Sequence, residues 1–321
     1  MGVEVVISGV AGKFPECKNI PQFEDALFKK AHLITEDDRK WATKSDLPGH
    51  CGKAISLEEF DALFFKVPFS LPATMEPVTK KALETSIEAI IDAGVNPKSL
   101  AGTRTAVYCL YDFSEFEMSI PKAQTVRALI GVARCFSANR LSFAMDLQGP
   151  SYSAQGGYGS LCHFMGEAKL QIEAGLIDAA VIACGNFILS KRTLMVLRGM
   201  GLMADDGECR AFDENAHGYA LSEGCVAFFV QRATDARRHW ATVVGGSQQF
   251  LGTKRGNVLA FDEGPVKEMM RELYFKWNVD PLTLDTLKRT AVESKIQTKR
   301  RPTLLRRFFV VTAGSHSLLG R

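Results

Sequence analysis

The sequence predicts an α/β fold in which helices cover a central sheet. Apolar runs typical of buried strands occupy residues 4–10, 106–111 and 179–184. Between the first two lies segment 82–93, whose apolar residues recur at helical spacing. Strand and helix patterns that alternate in this way favour a layered α/β architecture over a helical bundle or a β-sandwich. With 321 residues, 46% of them hydrophobic, the chain can bury a substantial core.

The elements of the first third follow from local patterns. Residues 4–10 (EVVISGV) predict a strand that ends in a glycine turn, and residues 22–30 suit a helix. Segment 82–93 (ALETSIEAIIDA) predicts an amphipathic helix that stops at Gly94. The run 106–111 (AVYCLY) predicts the next buried strand.

The stretch around residues 138–175 organises the chain. Residues 127–137 predict a helix that runs into it, and the apolar run Leu141–Leu147 predicts a strand. A turn at Gly149–Ser151 follows, and residues 160–172 then predict a buried helix. The apolar positions of that helix are Leu161, Met165, Ala168 and Ile172.

Small residues surround the start of this helix. Gly156, Gly157, Gly159 and Ser160 leave little side-chain bulk there, so Tyr158 is expected to project from an open helix N-terminus. Unpaired amides and the helix dipole favour negative charge at such a position. This arrangement is typical of a fold that presents a nucleophile.

The elements after the central helix are predicted to be mostly strands. Residues 179–184 predict a strand with Gly185 and Asn186 at its end, where sites open in α/β sheets. Residues 225–231 and 241–246 predict two further strands.

Composition excludes several classes of protein. No apolar run approaches the roughly 18 residues that a membrane span needs, and the first residues lack the pattern of a signal peptide. We therefore expect a soluble protein in the cytoplasm. The eight cysteines contain no CxxC pair and the six histidines show no ligand spacing, so neither a metal, a cofactor nor a disulfide framework is expected.

The last 27 residues, 295–321, form a basic tail. They carry seven basic and no acidic residues, which leaves 32 basic against 36 acidic residues in the first 294 positions. The tail lacks aromatic residues interleaved for base stacking, so no nucleic-acid partner is expected. Its charged runs interrupt the apolar pattern, and we expect it to be disordered.

Several long motifs carry a family resemblance. Residues 138–143 (ANRLSF) with 149–151 (GPS), residues 35–41 (TEDDRKW) and residues 210–224 (RAFDENAHGYALSEG) are the main ones. In these motifs the chain resembles the ketosynthase (β-ketoacyl synthase) domain of animal-type fatty acid synthases and type I polyketide synthases. The likeness extends over about residues 4–294.

The resemblance implies a thiolase-like α/β/α/β/α fold of two similar halves, paired as a homodimer. By motif order, residues 1–235 would form the complete first half, 236–294 part of the second half, and 295–321 the tail. It also implies an acyl carrier protein or acyl thioester as partner.

The family's catalytic residues do not carry over. In the family's DTACSSS segment the acyl-accepting cysteine falls on Tyr158, and the first catalytic histidine, expected after Glu293, falls on Lys295. The second histidine has no clear counterpart, since His316 is only a faint match. Seven residues of the 210–224 motif do match the family pattern, and three of these are expected to shape the site structurally. They are Phe212, Asp213 and Gly218.

Two functions therefore remain open. One is an active β-ketoacyl synthase with a non-standard nucleophile, for which Cys162, one helical turn beyond Tyr158, is the nearest thiol. The other, which the chemistry favours, is a catalytically silent relative, because a phenol with a pKa of about 10 does not replace a thiolate. His217 is expected to be an ordinary turn histidine.

Overall fold

The structure is a computed structural model that describes residues 3–37, 39–40, 49–111, 115–116, 125–155, 159–210, 213, 215, 217–246, 263–283, 289–292 and 305–308. The strands of these segments are β1 (Val5–Lys13), β2 (Thr35–Glu36), β3 (His50–Cys51), β4 (Thr105–Leu110), β5 (Ser151–Ala154), β6 (Ala179–Asn186), β7 (Gly224–Arg232), β8 (Ala241–Thr242), β9 (Arg289–Val292) and β10 (Leu305–Phe308). The α-helices are α1 (Ile20–Phe28), α2 (Pro77–Asp92), α3 (Thr125–Val132), α4 (Cys135–Met145), α5 (Ser160–Glu173), α6 (Lys191–Gly199) and α7 (Glu263–Lys276).

A mixed six-stranded sheet with the order β5-β4-β6-β7-β1-β8 forms the centre of the fold. Strands β4, β5 and β6 are parallel, with Tyr108 of β4 opposite both Tyr152 and Ile182. Strand β7 is antiparallel to both of its neighbours, β6 and β1. The ends of β1, β4, β5 and β6 therefore lie at the same edge of the sheet as the start of β7.

Helices cover both faces of this sheet. On one face, α2 and α4 pack on a core that includes Val107, Val181 and Phe229. On the other face, α5 packs through Ala168 and Ile172 on Tyr108, Ile182 and Val230. Neighbouring residues of β4 and β6 alternate between these two cores, which explains why both strands are continuously apolar in sequence.

Most predicted elements are confirmed. Strands β1, β4, β6 and β7 and helices α1, α2 and α5 form where the patterns place them. Helix α2 begins at Pro77, earlier than expected, because proline is favoured in the first helical turn. Strand β8 is shorter than expected and ends at Thr242 rather than Gly246.

The strand predicted over Leu141–Leu147 is wrong. These residues belong largely to α4, which ends at Met145 and is followed by Asp146 in the left-handed conformation (φ 56°) at its C-cap. Leu141 is buried while Phe143 is 70% exposed, which is a helical and not an extended pattern of burial. The helix predicted over 127–137 is also corrected, because α3 and α4 are separate helices that break at residues 133–134.

The predicted halves, 1–235 and 236–294, and the disordered tail stay predictions. Of the tail, the structure describes only β10, which pairs antiparallel with β9. Those four residues form a strand, contrary to the expected disorder, and the other residues of 295–321 lie outside the described segments.

Gly9 allows β1 and α2 to approach closely. A Cβ atom at Gly9 would lie 1.9 Å from the Ala89 carbonyl oxygen and 2.8 Å from the Ala93 nitrogen, both backbone atoms. We predict that Gly9→Ala lowers the free energy of unfolding by about 3 kcal/mol, the upper end of typical overpacking costs. Urea unfolding followed by circular dichroism measures this change.

Gly199→Ala is the matched control, since an added Cβ there meets nothing within 4 Å. Alanine also favours the helix, so its effect should stay within about 1 kcal/mol. Equal effects of the two substitutions would contradict the packing argument.

Candidate functional site

The candidate site lies at the edge of the sheet where several parallel strands end. Tyr111 follows β4, Gln155 follows β5, residues 187–190 follow β6, and Glu223 immediately precedes β7. Carboxyl ends of parallel strands are where ligands bind in α/β folds. The topology thus brings Glu223, near the end of the 210–224 motif, to the same edge as Gln155, which precedes α5 in the chain.

Helix α5 begins at Ser160, directly after Gly159 at its N-cap. Ser160 is only 5% exposed, and its hydroxyl has no hydrogen-bond partner among the residues that the structure describes. Gly156, Gly157 and Tyr158 lie outside those residues, so the orientation of Tyr158 stays a prediction. The predicted helix is confirmed, with the small residues Gly159 at its N-cap and Ser160 as its first residue.

Cys162 lies on α5 and is half-buried. Burial raises the pKa of its thiol, because a thiolate is poorly solvated there. Its surroundings are tight: a Cβ on Gly246 would come within 2.0 Å of the Cys162 carbonyl oxygen. The thiol is therefore less ionised at neutral pH than an ordinary cysteine.

A buried hydroxyl network lies under the end of β4. The Tyr111 hydroxyl donates to the Arg134 carbonyl oxygen at 3.0 Å and also contacts the Ser137 hydroxyl, which lies 2.6 Å from Thr79 Oγ1. Burial raises the pKa of Tyr111 to about 12, so it remains a neutral donor. The Arg134 guanidinium in turn donates to the side-chain oxygen of Gln155, which lies in the chain between β5 and α5.

Glu223 is the centre of a second network. Its side chain is fully buried and forms an ion pair with Lys40. Oε1 also accepts from the Ile188 amide at 2.7 Å, and Oε2 accepts from the Ala54 amide at 2.8 Å. Lys40 Nζ donates in addition to the Ile188 carbonyl oxygen at 3.0 Å.

Glu115 was not singled out by the sequence. Its Oε2 accepts from the Leu189 and Ser190 amides at 2.7 and 2.6 Å, at the start of α6. Acidic groups are favoured at helix N-termini, but Glu115 lies 75 residues before Ser190 in the chain. No local pattern could therefore have revealed this contact.

The 35–41 motif builds a cluster of charges beside Glu223. The buried Lys53 ammonium donates to the Thr35 carbonyl oxygen at 2.9 Å and lies 3.2 Å from an Asp37 carboxylate oxygen. Hydrogen bonds from Arg39 hold the pKa of the Asp37 carboxyl well below its usual range. These contacts fix the segment that carries Lys40.

The remaining predicted site residues are dispersed. Asp213 is exposed, and its carboxylate accepts from the Asn215 amide at 2.8 Å. Gly218 has a φ of 133°, and a Cβ there would lie 2.5 Å from the Met203 carbonyl carbon, so only glycine fits. Phe212 and Lys295 lie outside the described residues.

His217 has the surface environment expected of it. Its Nε2 lies 3.3 Å from Asp206, and its Nδ1 lies 3.2 Å from the Asn215 carbonyl oxygen. Neither contact connects it to α5 or to Glu223.

Two further features bear on possible ligands and location. Within the described segments, no three His, Cys, Asp or Glu side chains come together as a metal site would require. None of the helices described there is long and apolar enough to cross a membrane.

Comparison with known proteins gives one consistent family. The family described as “Beta-ketoacyl synthase, N-terminal domain” matches residues 3–236. A fatty acid synthase of the goose Anser anser anser is 32% identical over 298 residues, which cover 91% of this chain and 84% of that protein. A highly reducing polyketide synthase of Gibberella fujikuroi is 31% identical over 225 residues, or 69% of this chain and 9% of that protein.

Solved structures agree on the fold. The ketosynthase from module 6 of the bacillaene synthase of Bacillus subtilis 168 superposes with a TM-score of 0.76 at 22% identity, over 88% of this chain and 50% of that one. An oxazolomycin ketosynthase domain of Streptomyces albus gives 0.78 at 23% identity, over 88% and 52%. The chain thus spans about half the length of these ketosynthases, and the thiolase-like α/β fold is confirmed.

The burial of Cys162 predicts its reactivity. With iodoacetamide at pH 7.5, Cys135 and Cys209 should be alkylated first because both side chains are exposed, and Cys162 should follow at least about tenfold more slowly. Because burial raises its pKa, the Cys162 rate should still be rising at pH values above the ordinary pKa of a free thiol, about 8.5. Peptide mass spectrometry over a time course measures each site. Alkylation of Cys162 before the two exposed thiols would contradict this assignment.

Proposed function

The chain belongs to the β-ketoacyl synthase family, and from this membership we propose that it is a catalytically silent ketosynthase-like protein of the fatty acid synthase type. In this proposal it recognises acyl thioesters, as its family does, but does not condense them with malonyl units. The observation that carries the proposal is Tyr158 at the position of the acyl-accepting cysteine.

The chemistry of the side chain supports this reading. The family reaction needs a thiolate that attacks the acyl thioester and later leaves as the new carbon–carbon bond forms. A phenol has a pKa of about 10, so almost none is ionised at neutral pH. Its ring also places bulk immediately before Gly159, where the acyl carbonyl would have to approach α5.

Lys295 supports the same conclusion independently. It stands where the resemblance places the first catalytic histidine. An imidazole near neutral pH can stabilise the enolate oxygen and exchange a proton, whereas a lysine ammonium has a reference pKa of about 10.4 and is a poor proton acceptor. The chain therefore lacks two groups that the family uses together.

The second candidate function is an active synthase with a non-standard nucleophile. Cys162 favours it, because this thiol lies in the first turn of α5, two residues after Ser160. Its raised pKa and half-buried position weigh against it, since the thiolate is the reactive form. We therefore rank this candidate second.

We propose an acyl carrier protein, or another acyl thioester donor, as the partner of the site. This partner follows from the family chemistry and not from a contact in the structure. We also propose a cytoplasmic location, because all eight cysteines lie among the described residues and all are free thiols, as is usual in a reducing compartment.

A second copy of this chain is the proposed oligomeric partner. Strand β5 lies at the edge of the sheet, and its Tyr152 is 55% exposed. On the adjoining helix α4, Phe136 and Phe143 are exposed on the same face of the helix, and Arg140 lies between them on that face. An edge strand flanked by exposed aromatic residues can pair with its own copy, which would bury both features.

The catalytic proposal is tested on the wild type and on two variants of residue 158. After incubation with a labelled acyl thioester, the wild type should carry no stable acyl adduct, and Tyr158→Cys should acylate slowly at residue 158. Neither should form a condensation product with malonyl carrier protein, because groups that act as a unit are not restored singly. Intact-mass and peptide mass spectrometry follow both steps.

Tyr158→Ser is the matched control, because it removes the ring without supplying a thiol and should remain unlabelled. An adduct on wild-type Cys162 or Tyr158 that is discharged by malonyl carrier protein would establish the second candidate function instead.

The dimer proposal is tested by placing charge on the exposed stripe. Phe143→Asp should shift the sedimentation profile from dimer towards monomer by at least about tenfold in dissociation constant, since burying an unpaired carboxylate is costly. Phe28→Asp is the control, because Phe28 is 82% exposed on α1, which packs on β1 at the other side of the sheet. A wild type that sediments as a monomer at high concentration would refute the proposal.

A further inference from the structure

The loop after β6, residues 187–190, borders the candidate site. Phe187 and Ile188 are buried, and Ser190 caps the N-terminus of α6 by accepting from the Arg192 amide. The loop lies at the same sheet edge as the start of α5, because both follow the carboxyl ends of parallel strands. Its backbone therefore forms part of the surroundings of the site.

Two buried carboxylates hold three successive amides of this loop. Glu223 accepts from Ile188, and Glu115 accepts from Leu189 and Ser190. Both glutamates are less than a tenth exposed. An acidic side chain is an effective acceptor at a helix N-terminus, where unpaired amides and the dipole reinforce each other.

The two carboxylates differ in how many oxygens they use. Glu115 receives both loop amides on Oε2 alone. Glu223 uses both oxygens, with Ile188 and Lys40 on Oε1 and Ala54 on Oε2. A glutamine has one acceptor oxygen and one NH₂ group, so it could replace Glu115 but would place a donor against a donor at Glu223.

We propose that Glu115 is a positioning residue of the candidate site, which fixes residues 187–190 at the same sheet edge as the start of α5 and so sets the backbone shape of the site there. It does this through its hydrogen-bond acceptor oxygen Oε2, which receives both amides. What the candidate site binds rests on the proposed function, but the anchoring of the loop does not.

Hydrogen exchange of the native protein tests the anchoring. Glu115→Ala should raise the exchange rates of the Leu189 and Ser190 amides about tenfold or more, as expected for the loss of hydrogen bonds to a charged acceptor. Glu115→Gln should stay within about twofold of wild type, because one oxygen suffices. Amides of β4 should be unchanged in both, which excludes general unfolding.

Glu223→Gln is the comparison variant. Its NH₂ group must face either the Ala54 amide or the Ile188 amide, so exchange should rise at one of these two even though the same substitution is tolerated at Glu115. Unchanged exchange in Glu115→Ala, or equal increases in Glu115→Ala and Glu115→Gln, would overturn the proposal.

Acylation of the Tyr158→Cys protein tests whether Glu115 affects the candidate site. Adding Glu115→Ala to this background should slow labelling several-fold, and adding Glu115→Gln should restore the rate. A loop that exchanges faster without any change in labelling would overturn the positioning role. If Tyr158→Cys were never labelled, the proposed function would fail instead, and exchange alone would decide the anchoring.

Discussion

The buried carboxylate of Glu223 is the constraint on which the site edge depends. It joins four parts of the chain that are distant in sequence: the segments of Lys40, Ala54 and Ile188, and the start of β7. A fully buried carboxylate costs several kcal/mol unless it is paired and hydrogen-bonded, and here an ammonium and two amides satisfy it. Removing any one of these partners would leave the buried carboxylate incompletely compensated and would destabilise the fold. The position of Glu223 is therefore fixed by the stability of the fold, whether or not any reaction takes place nearby.

The fold was largely predictable because β1, β4, β6 and β7 are apolar on both faces and α5 has clear helical spacing. Two of the departures from the predicted elements have clear physical causes. Leu141–Leu147 is too short and too apolar for periodicity to separate strand from helix, and burial in the α4 orientation decided the outcome. Strand β5 was missed since it is an edge strand of only four residues, two of them serines, whose pairing with β4 supplies its stability.

The site was only half predictable, and the division follows sequence distance. The position of Tyr158 came from its spacing to the 149–151 turn, which is local information. The contact of Glu115 with Ser190 spans 75 residues and exists only because β4 and β6 are neighbours in the sheet. Glu223 lay in a matched motif, but its partners could not be known before Lys40, Ala54 and Ile188 were brought together. Local spacing in the sequence thus pointed to residue 158, whereas the residues that hold the surrounding backbone emerged only from the structure.

Burial explains why the other thiols near this edge of the sheet are poor substitutes for a nucleophilic cysteine. Cys109, Cys184 and Cys225 lie on adjacent central strands, and burial raises the pKa of each to about 12. Cys162 is closer to the start of α5, yet desolvation raises its pKa as well. A thiolate needs a helix N-terminus or a nearby cation together with access for the acyl group. Packing Cys109, Cys184 and Cys225 into the sheet therefore secures the core but leaves these three thiols poorly suited to act as nucleophiles.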